Sequence, residues 1–182
     1  MRCLSVVRSA KHKTQHAGMS KEAERLLLFN TYRLLEAIDT GNWEVYQQLC
    51  DEAMSCFEPE AKGHLVQGME FHRYFFDFHK KKPGASSATK KGFLGIGPSS
   101  ASDSLPAAID MPTQSIVSSP IIKFLGDNVA IVSYIRLVQR VEHSPDSSVP
   151  VPTTRSYNET RVWNLRGRDD WRVVHFHRSL AQ

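Results

Sequence analysis

The sequence has no long hydrophobic run. Its apolar stretches, such as Val129–Ile135, are far shorter than the roughly 20 residues that a membrane-spanning helix needs. We therefore expect no membrane partner. Apolar residues make up 41% of the 182 residues and charged residues 23%, which is typical of a globular protein. A chain of this length can bury a substantial core in one domain.

Cysteine is scarce. The chain has three cysteines (Cys3, Cys50 and Cys56), an odd number without a CxxC pair. This pattern favours reduced thiols in a cytoplasmic protein, with Cys50 and Cys56 buried as small hydrophobic residues. His175 and His177 alternate on one strand face, but no cysteine or carboxylate completes a ligand set at recognisable spacing. We therefore expect neither a metal nor another cofactor.

Most of the chain also lacks an excess of charge of one sign. The net charge is +4, and residues 1–20 contain four basic residues and no acidic one. From Lys21 onward, 19 basic residues face 19 acidic ones, which argues against a face dedicated to nucleic acid. The basic composition of residues 1–20 predicts a disordered leader, with a targeting segment as the alternative. The folded domain is then expected over residues 21–182.

Helices are predicted in the first half of that domain. Ser20 can cap a helix that Gly41 ends, with Leu27 and Leu34 on its buried face. A second helix is predicted over Trp43–Ala53 and a third from Glu70 to about His79. Between them lies an extended piece that Pro59 interrupts.

Composition changes at Lys80. From there to about Gln114 the chain is rich in lysine, glycine, serine, alanine and proline, which predicts an inserted flexible loop at about residues 80–114. Beyond it, strands are predicted over residues 115–125, Val129–Val141, Ser156–Leu165 and Trp171–Ser179. Helices followed by an antiparallel meander predict an α+β roll.

Three arginines fall on strand faces that are otherwise largely apolar. By alternation, Arg136 shares its face with Ala130, Val132, Tyr134 and Val138, Arg161 with Tyr157, Trp163 and Leu165, and Arg178 with Val174 and Phe176. A buried guanidinium needs an anion. One interpretation is that each arginine reaches water or pairs with Glu58, Glu60 or Glu159 within the core. The other is that the three converge on a pocket that accepts a carboxylate.

Four segments resemble a known family. CFEPEAKGHLVQGMEFHRYFF, IVSYIRLVQ, ETRVWNLRGRDDWRVVHFHRS and RLLEAIDTGNWEVYQQLCD closely resemble parts of the association domain of calcium/calmodulin-dependent protein kinase II. The resemblance implies a nuclear transport factor 2-like (NTF2-like) fold, a cone-shaped roll in which N-terminal helices pack on a strongly curved antiparallel sheet. It also implies a hub that pairs with itself and closes into a ring of roughly 12–14 subunits.

The resemblance also implies a ligand pocket without catalysis. The pocket arginines match Arg136, Arg161 and Arg178, and His72 of the FHR motif contributes to the same region; Tyr134 and Glu58 are placed there as well. Such a pocket would accept a small carboxylate or a peptide segment. Full-length kinase subunits are further candidate partners. The alternative is an isomerase or dehydratase of the same fold that uses His72 or Tyr134.

Overall fold

The structure is a computed structural model that describes residues 6–80, 113–142 and 149–181, with the side chains of residues 21–78 and of the two later ranges. Most of the predicted loop at 80–114 therefore lies outside the described residues. Three α-helices are present, α1 (Val6–Thr40), α2 (Trp43–Leu49) and α3 (Glu70–Lys80), and a 3₁₀ turn covers Pro59–Ala61. Within the described residues, no helix has the length and hydrophobicity that crossing a bilayer requires.

Helix α1 begins upstream of the predicted cap at Ser20. Residues 6–19 contain no proline, so nothing in them forces the helix to start later. Its end agrees with the prediction, because Gly41 follows Thr40 with a φ of 68°, a conformation that glycine adopts without strain. The division of the chain at residue 20 into leader and domain stays a prediction.

Helix α2 is shorter than predicted. The side chain of Asn42 caps it by accepting a bond from the Val45 N–H at 3.2 Å, and the helix ends at Leu49 rather than Ala53. Strand β1 (Cys50–Phe57) begins at the next residue. Strand β1 pairs with β6 at Cys50 and again from Ser55 to Phe57, and with β2 at Ser55 and Cys56; this pairing overrides a weak local helix preference.

The sheet has six strands. After β1 these are β2 (Val66–Gln67), β3 (Gln114–Phe124), β4 (Val129–Glu142), β5 (Val151–Leu165) and β6 (Trp171–Leu180), in the spatial order β2-β1-β6-β5-β4-β3. Strands β3 to β6 form the predicted antiparallel meander, and β1 adds to its end in parallel with β6. The α+β class is confirmed.

The inner face of the sheet carries the core. Val132 and Trp163 are fully buried on it, against Leu27 and Leu34 of α1. In β6 the predicted alternation is wrong for Val174. Strand β5 pairs Val162 with His175 but Trp163 with Val173, so a bulge leaves Val174 without a partner and the fully buried Val173 takes the inner position.

Candidate functional site

A cavity of about 180 Å³ lies between the inner face of the sheet and the helices. Five of the six predicted site residues line it: Glu58, His72, Arg136, Arg161 and Arg178. The other lining residues are Ile38, Tyr46, Glu60, Phe75, Phe76 and Phe176. Tyr134 does not line the cavity but contacts one of its arginines. The structure thus brings the three arginines to one place, as the second sequence interpretation requires.

Strand register produces this convergence. Tyr134 on β4 pairs with Glu159 on β5, and Glu159 pairs with Arg178 on β6. In the neighbouring row Arg161 lies between Val132 and Phe176. Directly paired residues share a face of the sheet, so charged and aromatic side chains meet above the same few strands.

Glu159 is the central carboxylate of the site. It is 2% exposed and accepts hydrogen bonds from the Tyr134 hydroxyl at 2.7 Å, from Arg161 Nη2 at 2.9 Å and from Arg136 Nη1 at 3.3 Å. Burial raises the pKa of Glu159, but the charges of Arg161 and Arg136 outweigh it and lower that pKa to about 2. Glu159 is therefore ionised over the physiological pH range.

Arg136 joins the sheet to helix α1. Its Nη2 donates to Asp39 Oδ1 at 3.0 Å, and its Nε donates to the Ser115 hydroxyl at 2.8 Å. The Ser115 hydroxyl and backbone N–H both donate to Asp39, at 2.8 and 2.6 Å. The end of α1, β3 and β4 are thus connected through one buried guanidinium.

Arg178 has two carboxylate partners at the mouth of the cavity. Its Nη2 donates to Glu58 Oε2 at 2.9 Å and also to Glu60. The pairing with carboxylates that the first sequence interpretation describes is therefore present, and the acceptance of a carboxylate by the cavity stays a prediction. All three arginines are paired, and all three still face the cavity.

Three buried side-chain donors have no hydrogen-bond partner among the described residues: Trp163 Nε1, Arg161 Nη1 and Arg178 Nε. The two arginines line the cavity, whereas Trp163 does not. Leaving a buried charged donor unbonded is costly, so each guanidinium nitrogen can donate to an oxygen of a bound molecule. The spare hydrogen-bonding capacity of the site suits an acceptor such as a carboxylate.

His72 lies between Cys56 and Glu58. Its Nε2 is 3.6 Å from the Cys56 Sγ, and its Nδ1 is 3.6 Å from Glu58 Oε1. Burial, together with the charges of Arg161 and Arg178, lowers the pKa of His72 to about 4, so the ring is neutral at physiological pH. Burial also raises the pKa of Glu58 and brings that of the Cys56 thiol to about 12.

Sequence reasoning missed several residues of this site, among them Asp39 and Cys56. Asp39 lies on a helix, 97 positions before the Arg136 that it pairs with, and no local pattern connects them. Cys56 was interpreted only as a small buried residue, and it is fully buried. Two sequence features could have indicated this pair: alternation along β1, which places Cys56 on the inner face, and the FHR motif, which contains His72. The segment between β1 and α3 brings the two residues together.

Comparison with known proteins gives one family. The family model for the calcium/calmodulin-dependent protein kinase II association domain matches residues 22–91 and 111–182. A curated relative, the delta subunit of calcium/calmodulin-dependent protein kinase type II from Oryctolagus cuniculus, is 36% identical over 149 residues. That match covers 82% of this chain but 22% of the relative, so the chain spans under a quarter of the relative's length.

Solved structures agree with the family match. The hub homology domain of the kinase from Chlamydomonas reinhardtii is 36% identical, with a TM-score of 0.63 over 88% of this chain and 99% of that one. The hub from S. rosetta is 31% identical, with a TM-score of 0.61 over 86% and 95% of the two chains. An NTF2-like protein from Salmonella enterica, 17% identical with a TM-score of 0.56 over 90% and 94%, has a similar fold.

Proposed function

Because the chain belongs to the calcium/calmodulin-dependent protein kinase II association domain family, we propose that it is an oligomerisation hub that assembles into a ring of stacked dimers. The family match carries this proposal. Association with full-length kinase subunits is part of it, as is a cytoplasmic location. On this view the domain holds subunits together and is not itself a catalyst.

The outer face of the sheet supports self-association. Its large apolar side chains include Phe57 on β1, Ile121 on β3 and Ile135 on β4, which are 39%, 68% and 38% exposed. Neighbouring residues of a strand point to opposite faces of the sheet. Phe57 is the neighbour of the inward Cys56, and Ile121 pairs with Ser133, the neighbour of the inward Val132, so both side chains lie on the side away from the core. Apolar side chains grouped on one sheet face mark an interaction surface.

One substitution on this face tests the assembly. Ile135→Glu places a charge on the outer face and is expected to break the particle into smaller species, which light scattering coupled to gel filtration measures. Leu125→Glu is the matched control, because Leu125 is 55% exposed in the turn between β3 and β4. It is expected to leave the particle mass unchanged. Equal masses for Ile135→Glu and the control would exclude this face as an interface.

We further propose that the cavity binds a small carboxylate or the acidic side chain of a peptide segment. The supporting observation is the pair of unbonded donors, Arg161 Nη1 and Arg178 Nε, beside one cavity. A bound carboxylate would accept from both. It must do so next to Glu58 and Glu60, so we expect weak binding that strengthens when Glu58 is protonated.

Succinate is a suitable probe for this binding. Titration calorimetry is expected to detect succinate binding to the native chain and its loss in Arg178→Gln. Arg172→Gln is the control, because Arg172 pairs with Asp170 on the surface and lies outside the cavity. Equal affinity in native chain and Arg178→Gln would exclude Arg178 as a ligand residue. Failure of succinate to bind would leave the hub assembly, which is measured separately, unaffected.

The catalytic alternative has less support. Tyr134 does not line the cavity, and its hydroxyl already donates to Glu159 and accepts from Arg161 Nε at 2.8 Å. Burial raises the pKa of Tyr134. His72 keeps a neutral ring, but its two nitrogens face Cys56 and Glu58 rather than open space. An acid–base catalyst needs a free group within reach of a bound substrate. Tyr134 lies outside the cavity lining, and His72 lines the cavity but has its ring nitrogens beside Cys56 and Glu58.

A further inference from the structure

Among the residues that the structure describes, one group of three combines different metal-binding side chains. It consists of Cys56 on β1, Glu58 just after that strand, and His72 on α3. One sulfur, one ring nitrogen and one carboxylate oxygen lie within 4.8 Å of one another, and all three residues are buried. Neither ion pairing with the arginines nor assembly requires a thiol at this position.

We propose that Cys56, His72 and Glu58 form a binding site for a zinc ion. Thiolate sulfur, imidazole nitrogen and carboxylate oxygen are the three ligand types that zinc takes from proteins. With a metal–sulfur bond of about 2.3 Å and a metal–nitrogen bond of about 2.0–2.1 Å, tetrahedral geometry separates the two ligand atoms by about 3.5–3.6 Å. The Cys56 Sγ and His72 Nε2 are 3.6 Å apart.

Glu58 can supply the third ligand without losing its other partner. Its Oε2 accepts from Arg178, whereas its Oε1 is the oxygen on the side of His72. The ligand atoms lie within 4.8 Å of one another, and tetrahedral contact with zinc requires about 3.3–3.5 Å, so the longest separation has to close by at most about 1.5 Å. Rotation of the Glu58 side chain provides this movement, since it requires no change in the strand.

Charge also matches a divalent ion. On binding, the Cys56 thiol loses its proton to solvent and becomes a thiolate, while the Glu58 carboxylate is ionised and the His72 ring stays neutral. The two negative charges balance Zn²⁺, which reduces the repulsion from Arg161 and Arg178 nearby. Glu58 and His72 line the cavity, so the fourth zinc position faces a space that holds water or the oxygen of a ligand.

Zinc and cobalt binding to the full chain test this site. Equilibrium dialysis followed by elemental analysis is expected to find one zinc ion per chain. Cobalt is expected to give the near-ultraviolet absorption band of a thiolate–cobalt bond. Cys56→Ser should remove the band and weaken zinc binding by at least about tenfold. Replacing a residue that only orients a metal ligand already costs about that much, so replacing a ligand itself should cost no less. His72→Gln should weaken zinc binding similarly.

Cys50→Ser is the matched control. Cys50 is the other buried cysteine of β1, and it lies outside the group. Its substitution should leave both the band and the zinc stoichiometry unchanged. A native chain that shows no thiolate–cobalt band, or zinc binding that Cys56→Ser leaves intact, would overturn the proposal. Particle mass measured on the same samples separates this result from any failure of assembly.

Discussion

Glu159→Gln is the substitution whose effect the structure defines best. Glutamine has nearly the same shape, so the cavity and the strand pairing are kept while one buried charge is removed. In the native chain, Glu159 is the carboxylate that pairs with Arg161, and Arg161 is 1% exposed. Arg136 keeps a second partner, Asp39, at 3.0 Å. The cost therefore falls mainly on Arg161.

The expected loss is about 3–5 kcal/mol of unfolding free energy, the range found when one partner of a buried ion pair is removed. The charge of Arg161 is left with the Tyr134 hydroxyl at 2.8 Å and the Phe176 ring at 4.6 Å, which compensate it only in part. Replacing Arg161 by methionine in the same chain removes the uncompensated charge. The double variant should therefore be more stable than Glu159→Gln alone.

Urea unfolding at one fixed protein concentration measures these differences, because assembly makes stability depend on concentration. Glu142→Gln is the control. Glu142 also contacts two arginines, Arg140 and Arg155, on the same pair of strands, but at their exposed end. It should change stability little. If Glu159→Gln and Glu142→Gln have equal effects, the buried network does not stabilise the fold in the way described.

Two further predictions concern the same cavity. His72 has a pKa of about 4 when folded and 6.5 when unfolded, so the unfolded chain binds more protons between these values and stability falls as the pH drops from about 6.5 to 4. His72→Gln should remove about 3 kcal/mol of that loss. The unfolding free energy from urea titration should therefore fall less with decreasing pH in the variant than in the native chain, and parallel profiles would contradict this prediction. Asp39→Asn should destabilise the chain by about 1–3 kcal/mol, because it weakens the bonds from Arg136 and Ser115. Hydrogen exchange should then rise first where α1 meets β3, whereas uniform exchange would count against a local role.

Strand alternation was enough to predict where the arginines point. Residues of β4 and β5 follow a period of two without interruption, so Arg136 and Arg161 could be placed on the inner face from the sequence. Alternation failed at Val174, since a bulge depends on the pairing of two strands and leaves little trace in one of them.

Other features depend on contacts between distant parts of the chain. The parallel pairing of β1 with β6 turned the last predicted turn of α2 into strand, and local preference cannot show this. The pairing of Asp39 with Arg136 likewise arises only when α1 packs against the sheet. The grouping of Cys56 with Glu58 and His72 requires the segment between β1 and α3 to bring them together, which no local pattern shows.

The mass of the particle in solution tests the central claim most directly. Light scattering coupled to gel filtration, applied to the native chain, should give a mass on the order of a dozen times the 20.6 kDa of one chain, as a closed ring of stacked dimers requires. The particle should break down in Ile135→Glu but not in Leu125→Glu. A native chain that elutes with the mass of a monomer or a single dimer would contradict the hub.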